Sequence, residues 1–490
     1  MEKISRILTA AMLAIFGMLL GLTLLLGGCQ PEHLSYCVAF ALSVAVVGAY
    51  TLLQRRPRPA VTIWERLGSR GTAFLLLSVC FAVHLAWVLV FRLEPRMDYG
   101  IFWSIAQNLA RGEEITERLQ AALFPHFLGY STFLSVFLRL FGESDLVAPI
   151  LNVIFTTLSG LLLYHLTLRW RGQNAAALAL LLWTLLPSKF FYNAMVLPDP
   201  WYTCLLLAAL CLAEWVEARR PKTLAAAVAG LMAGLLLGLV QAARPIVAAA
   251  LILGLLLWVL LLRRERGREE GRRWSAFQLP LLAAVLLTGA LWYSGAAQTL
   301  GEDPALVPGY SIFIGLNPDS LGADSGEDRA ILRELSEEEG ASAVSVQKQL
   351  LQKARERLHS GTIPFGKLFV NKMRIFLGCD EGGAFHSRAG LRDRAYQILA
   401  LYSNIWYYSI GMLAFWGAWR LFRDGERRTV LLAPLFVTGL SLTQLLTEVA
   451  ARYHYAVLPM LILLAAFSYT RPVKADPVLP AEPEKGADHA

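Results

Sequence analysis

Residues 72–99 read TAFLLLSVCFAVHLAWVLVFRLEPRMDY. From Thr72 to Phe91 the run is apolar, and about twenty helical residues are what the hydrocarbon core of a bilayer requires. Arg92, Glu94, Arg96 and Asp98 then crowd one short segment. A carboxylate is thereby expected where lipid meets water, at the end of a membrane-spanning helix. That placement decides the class of fold and suggests chemistry on a substrate carried in the membrane.

The rest of the chain repeats the first half of this pattern. Of its 490 residues, 56% are hydrophobic and only 17% charged, with a mean hydropathy of +0.49. A soluble chain of this length carries more charge and divides into several domains. Apolar runs are centred on residues 7–27, 34–54, 72–91, 146–168, 174–190, 199–217, 223–241, 245–262, 276–297, 398–420, 429–447 and 453–470. The expected fold is therefore all-α and polytopic, with about 12 transmembrane helices. The net charge of +8 does not imply nucleic acid, because the basic residues sit in short loops and form no stripe with interleaved aromatics.

Those loops orient the chain. Arg55, Arg56, Arg58, Arg66 and Arg70 follow the second run, Arg169 and Arg171 the fourth, and Arg219, Arg220 and Lys222 the sixth. Arg263, Arg264, Arg266, Arg268, Arg272 and Arg273 follow the eighth, Arg420, Arg423, Arg427 and Arg428 the tenth, and Arg471 and Lys474 the last. Every even-numbered run ends on positive charge, which places these loops and both termini in the cytoplasm. Met1 to Cys29 also has the look of a lipoprotein signal, but an uncleaved first helix is the preferred reading. The six cysteines show neither CxxC pairs nor metal spacing.

The division that follows is 1–71 for two extra N-terminal helices, 72–297 for a catalytic membrane core, 298–397 for an extracytoplasmic loop region, 398–470 for the C-terminal helices, and 471–490 for a disordered cytoplasmic tail. Residues 126–141 are expected to lie in the interface as an amphipathic helix and help form a lipid groove, and a second interfacial or re-entrant helix is expected near 365–377. With this topology, the unusual polar residues collect on one side. They are Asp98 and Tyr99 after the third run, Lys189 and Asp199 between the fifth and sixth, Arg244 between the seventh and eighth, and Glu448, Arg452 and His454 between the last two. Ionisable groups at the membrane are costly and often functional. Each has a plainer reading: Asp199 as a helix cap, Arg244 and Arg452 as snorkelling anchors, Lys189 as a flanking charge. His84 and His165 are read as structural.

Glycosyl transfer from a polyprenyl phosphate fits this set. A carboxylate accepts the proton of the attacking hydroxyl, and guanidinium groups grip the departing phosphate. Asp98 supplies the first part; Arg244, Arg452, His454 and Lys189 supply the second. The Asp98-Tyr99 pair, Leu109-Ala110-Arg111-Gly112, Phe124-Pro125-His126, Phe141-Gly142, Leu186-Pro187 through Leu197-Pro198-Asp199, Ala243-Arg244-Pro245 and Arg452-Tyr453-His454-Tyr455 through Pro459 occur in this order. Together they resemble the GT-C superfamily of membrane glycosyltransferases, in the branch of the protein O-mannosyltransferases and aminoarabinose transferases (family 39). The likeness is good over about 72–300 and weaker over the last helices.

The resemblance implies an inverting transferase of the plasma membrane that takes sugar from a polyprenyl-phosphate donor on the outer face. It implies Asp98 as the catalytic carboxylate, Asp199 as a second acid, and Tyr99, Lys189, Arg244, Glu448, Arg452 and His454 as substrate-binding. The partners implied are that donor, membrane lipids and an acceptor that is a lipid, glycan or protein. No cofactor is indicated, and the absence of a second acid beside Asp98 speaks against a metal bridge. Two readings remain open at this stage. A polysaccharide polymerase or ligase uses the same donors but favours a large Arg-rich outer loop. A flippase or transporter favours ionisable groups near the midplane, where these runs offer little beyond His84.

Overall fold

The computed structural model describes residues 2–29, 34–55, 62–263, 267–426 and 428–469. The loop arginines Arg56, Arg58, Arg264, Arg266 and Arg427 and the expected tail 471–490 lie outside the described residues. The chain begins with α1 (Glu2–Gly28), α2 (Leu34–Arg55), α3 (Ile63–Val90), α4 (Asp98–Arg111), α5 (Arg118–Leu123), α6 (His126–Phe141) and α7 (Val147–Arg171). It continues with α8 (Gln173–Thr184), α9 (Pro187–Asn193), α10 (Asp199–Arg219), α11 (Thr223–Ala243), α12 (Pro245–Arg263) and α13 (Arg268–Leu300). The loop region holds α14 (Gly309–Gly315), α15 (Gly326–Glu337), α16 (Ala343–His359), α17 (Phe365–Leu377) and α18 (Gly382–His386). The chain closes with α19 (Asp393–Arg423), α20 (Leu432–Leu446), a 3-10 turn at Ala451–Ala456, and α21 (Val457–Ala466).

Among the described residues there is no strand, and nine helices are long and apolar enough to span a bilayer. The other three expected spans need qualification. Residues 174–190 are not one straight helix but α8 and α9, which together are long and apolar enough for a span and are bent by 53° at the break. Pro187 opens α9 and cannot continue the preceding helix. The helices at Pro245–Leu260 and Ala451–Ala466 are shorter than a full crossing. α3 is two helical pieces joined at Gly68, whose φ of 70° breaks the helix, and the reciprocal cap of Thr62 and Glu65 starts only the short first piece at Ile63. Arg66 sits on that first piece and Arg70 at the start of the second, which carries the span expected from Thr72. The charged stretch 328–359 is two helices, α15 and α16, each capped by a serine.

The break between α8 and α10 needs partners for its freed backbone groups, since lipid offers none. Side chains from α3 and α7 supply them. Asn152 Nδ2 donates to the carbonyl of Met195 at 2.7 Å, and Thr156 Oγ1 donates to Asn193 Oδ1 at 2.8 Å. Asn193 Nδ2 meets His84 Nδ1 at 3.0 Å, while His84 Nε2 donates to the carbonyl of Thr184 at 3.2 Å. His84 is thus held as a neutral ring by one acceptor and one donor. The structural reading of this histidine stands.

The basic ends of the spans meet at one end of the bundle. Arg171 and Arg420 both donate to the carbonyl of Tyr469, and Arg169 pairs with Glu214. Arg273 reaches the carbonyl of Pro221, and the Thr429 amide donates to Glu217. The opposite end carries α4, the loop region and Arg452.

α11 packs on α13 through Gly230, Gly234 and Gly238, one per turn on a single face. A methyl group at these positions would collide with the backbone of Phe277, the backbone of Leu281 and the Thr288 side chain, respectively. Small residues at this spacing let two helices approach closely. We expect Gly234→Leu to destabilise the protein by about 3 kcal/mol through overpacking, measured as thermal unfolding in detergent. Gly48→Leu, in open space on α2, should leave the midpoint unchanged.

Candidate active site

Asp98 is the first residue of α4, where a carboxylate is favoured by the free amides and the helix dipole. Met97 precedes it with φ 53°, a left-handed turn that swings the chain out of the extended segment and into the helix. The Asp98 side chain is half exposed, and Arg452 reaches it with Nη2 3.5 Å from Oδ2. Arg452 itself is almost fully buried, and its guanidinium lies 5.4 Å from the centre of the Tyr99 ring. Arg244, between α11 and Pro245, stands 5.0 Å from the centre of the Tyr453 ring. Two guanidinium groups thus lie over aromatic rings, and one of them, Arg452, contacts the exposed carboxylate.

Glu448 completes the rim. It lies within electrostatic reach of Asp98, Asp324, Arg244 and Arg452. Burial, then the charges of Asp324 and Asp98, push its carboxyl up to about 7 against the opposing pull of the two arginines. His126, at the start of α6, is held well below its ordinary value by burial and by Arg244 and Arg452, so it faces the cations as a neutral ring.

The loop region holds this rim in place. The Glu448 amide donates to the carbonyl of Ser311 at 2.6 Å, and the Val449 amide to that of Gly322 at 3.1 Å. Lys372 on α17 donates to the carbonyls of Leu445 and Thr447 at 2.9 and 2.8 Å, which caps α20. Behind these contacts, buried Asp328 accepts from Asn317 at 2.8 Å and from Arg357 at 2.6 Å. Arg357 also donates to the carbonyl of Phe313 at 2.7 Å. The turn at Gly315 to Ser320 is therefore the folded end of a buried polar network that fixes Ser311, Gly322 and Asp324 against the membrane helices.

Three of the expected site residues lie deeper than the rim. Asp199, at the start of α10, is fully buried; Tyr202 donates to its Oδ1 at 2.8 Å, and its Oδ2 has no partner. His454, expected to grip phosphate, is the second of the three. Its Nδ1 bonds the carbonyl of Phe376 at 2.8 Å and its Nε2 bonds Asp380 at 2.9 Å, with both side chains buried. Neither ring nitrogen faces the rim. Lys189 is the third. It is fully buried in α9, with Nζ 3.1 Å from the centre of the Tyr455 ring and 4.4 Å from that of Trp183.

A lateral apolar cleft of about 200 Å³ opens between α1, α17 and α20. Leu19, Leu22 and Leu26 form one wall, Phe369 and Met373 a second, and Leu442 and Leu445 the third. Helix 126–141 does not form it. Phe127, Leu128, Tyr130, Leu134 and Leu138 of that helix are buried, and Gly129 lies against the Ala242 backbone.

Sequence reading missed Asp324, Asp380, Tyr202 and Tyr453. Asp324 and Asp380 meet partners distant in sequence, Tyr202 lies one turn from its partner Asp199, and Tyr453 stood in a quoted motif without a role of its own. Among the described residues, no three His, Cys, Asp or Glu side chains are grouped to hold a metal.

Residues 126–293 match the family model described as dolichyl-phosphate-mannose-protein mannosyltransferase. The matched segment begins after Asp98 and ends before Glu448 and Arg452. No curated protein sequence matches the chain. Among solved structures, the chain is similar to ArnT from Cupriavidus metallidurans bound to undecaprenyl phosphate. The identity is 16%, over 80% of this chain and 78% of that one, with a TM-score of 0.41. It is also similar to the archaeal oligosaccharyltransferase AglB from Archaeoglobus fulgidus in complex with an inhibitory peptide and a dolichol-phosphate. There the identity is 13%, over 80% of this chain and 50% of that one, with a TM-score of 0.44. The chain thus spans about half the length of the archaeal protein.

Glu448 generates a pH test. Its folded value of about 7 lies above its ordinary value of 4.5, so the fold favours the protonated acid. Its stabilising contribution is full below 4.5 and is lost as pH rises through 7. Glu448→Gln should therefore match the parent protein in thermal unfolding at pH 4.5 and exceed it at pH 8. Equal midpoints at both pH values would contradict this placement.

Proposed function

We propose that this protein is a polyprenyl-phosphate-sugar-dependent glycosyltransferase of the plasma membrane, working on its extracytoplasmic face. The observation that carries the reading is the Asp98–Arg452 contact, with Arg244 over the Tyr453 ring and Glu448 in electrostatic reach of Asp98 and both arginines. The family match over 126–293 supports it.

The chemistry follows from what each group can do. The acceptor hydroxyl loses its proton to Asp98 as its oxygen attacks the anomeric carbon. The bond from that carbon to the phosphate oxygen breaks, and the phosphate leaves with its lipid. Attack from the side opposite the leaving group inverts the anomeric centre. Arg244 and Arg452 take up the charge developing on the phosphate, for which a planar guanidinium is suited by bidentate geometry. Glu448, close to both arginines, offsets part of their charge only when ionised, above its raised value of about 7. Asp199 is the second acid, and it acts from within, through Tyr202 and Arg452. The lipid tail occupies the cleft between α1, α17 and α20, whose wall at Leu445 leads to Glu448 along the chain. The acceptor is a lipid, glycan or protein.

Asp98→Asn should lower kcat by about 10² to 10⁴ while the protein remains folded in detergent. Full turnover in that variant would remove Asp98 from the mechanism. Arg244→Ala should raise the donor KM about tenfold or more, read from initial rates against donor concentration. An unchanged donor KM would leave Arg244 as an anchor. For sidedness, single cysteines replacing exposed Glu339 and Arg219 in a cysteine-free background are treated with a membrane-impermeant maleimide on intact cells. Glu339→Cys should label and Arg219→Cys should not; the opposite pattern would turn the site toward the cytoplasm.

A further inference from the structure

His386 stands at the rim and is used by none of the steps above. It is exposed at the end of α18, and its ring meets the Tyr99 ring edge to face, with centres 5.8 Å apart. Arg452 lies over that same ring at 5.4 Å and contacts Asp98 at 3.5 Å. One tyrosine thus joins the histidine, the buried cation and, as its neighbour in the chain, the candidate base. Neither nitrogen of His386 has a hydrogen-bond partner among the described residues.

The turn that carries this histidine is clamped from several sides. Asp380 bonds His454 at 2.9 Å, and its amide donates to Asn404 Oδ1 at 2.9 Å. The Tyr36 hydroxyl donates to Glu381 Oε1 at 2.6 Å. Gly382 and Gly383 then let α18 lie directly on α9 and on the residue before Arg452. A methyl group at Gly382 would press on the Tyr192 hydroxyl and Ala451, and one at Gly383 on Phe191 and the Ser188 carbonyl. The mount is rigid, while the ring it presents bonds nothing in the protein.

The chemistry of that ring limits what it can hold. Surrounding protein and then Arg452 keep it well below the ordinary histidine value, at about 4, against the pull of Asp98. It is therefore neutral at pH 7, with one N–H to donate and one lone pair to accept. This set complements a hydroxyl group, whereas a phosphate calls for donors that carry positive charge. In the proposed mechanism Arg244 and Arg452 already meet the phosphate. Phe385 is exposed beside His386, with ring centres 5.6 Å apart, so the turn presents two neutral rings side by side. Asp98 and His386 are open to water, while Arg452 is buried. An incoming acceptor meets the exposed pair first.

We infer that His386 is an acceptor-binding residue, which hydrogen-bonds a hydroxyl group of the acceptor at the Asp98 rim. This deepens the proposed function and rests on it.

The test uses the full chain in detergent, with His386→Ala and His386→Gln. Diethyl pyrocarbonate, which acylates neutral imidazole, is the first probe, read by mass spectrometry of the peptide that holds His386. Its rate there should change by less than about twofold between pH 7 and pH 5, where a free imidazole slows by about twentyfold. No modification, or a fall as steep as that of the free ring, would overturn the assignment. Undecaprenyl phosphate is the second probe, and His386→Ala should bind it with the affinity of the parent protein. Weaker binding would move His386 to the phosphate side and overturn the inference. In transfer assays, His386→Ala should raise the acceptor KM about threefold to tenfold at an unchanged donor KM. His386→Gln keeps one donor and one acceptor and should recover most of that loss. An unchanged acceptor KM in a parent protein that transfers sugar overturns this inference alone. A parent that transfers none from any polyprenyl-phosphate donor overturns the functional reading with it.

Discussion

The structure depends on how one break in a membrane helix is satisfied. Between Thr184 and Asp199 the backbone leaves helical geometry inside a bundle that lipid surrounds. Each freed carbonyl or amide would be costly there. Asn152, Thr156, Asn193 and His84 take up that role as a small connected network. Because they satisfy the break, α9 can turn away from α8, and α10 can start anew at a buried Asp199. An uninterrupted helix would have left neither Lys189 nor Asp199 where it is.

A second constraint acts from outside the membrane layer. The loop region contributes few groups to the rim, yet its amide partners and the Lys372 cap fix the segment from Leu445 to Val449. Arg452 follows at once. Buried Asp328 stabilises the region through two charge-assisted or amide donors. Folding of a soluble segment thus becomes a condition for placing a membrane-embedded cation. Asp324 arrives at the rim as part of the same scaffold, and it is one cause of the raised Glu448.

Much of this was legible in the sequence. The apolar runs, their order, the common end of the basic loops and the convergence of Asp98, Arg244, Glu448 and Arg452 all follow from hydropathy and charge placement. What did not follow was depth. Lys189, Asp199 and His454 read as loop residues because they flank apolar runs, and the sequence does not show that the flanks fold inward at a helix break. Asp380 and Asp324 were invisible for a different reason: each acquires meaning only from a partner far along the chain. The apolar side of α6 packs against α4 and α11, and the apolar cleft described above lies elsewhere, between α1, α17 and α20. The glycine spacing on α11 was legible in principle, since Gly230, Gly234 and Gly238 recur at one turn each.

The two rim arginines each lie over an aromatic ring, Arg452 on Tyr99 and Arg244 on Tyr453. A ring beneath a guanidinium limits its tilt as well as its position, because the flat cation and the flat π-face favour alignment. Each ring thus helps to hold one guanidinium in place. Under the proposed function, an anion with paired oxygens gains more from a planar guanidinium than a spherical anion of equal charge. Lysine at either position would preserve the sign of the field and forfeit that geometry.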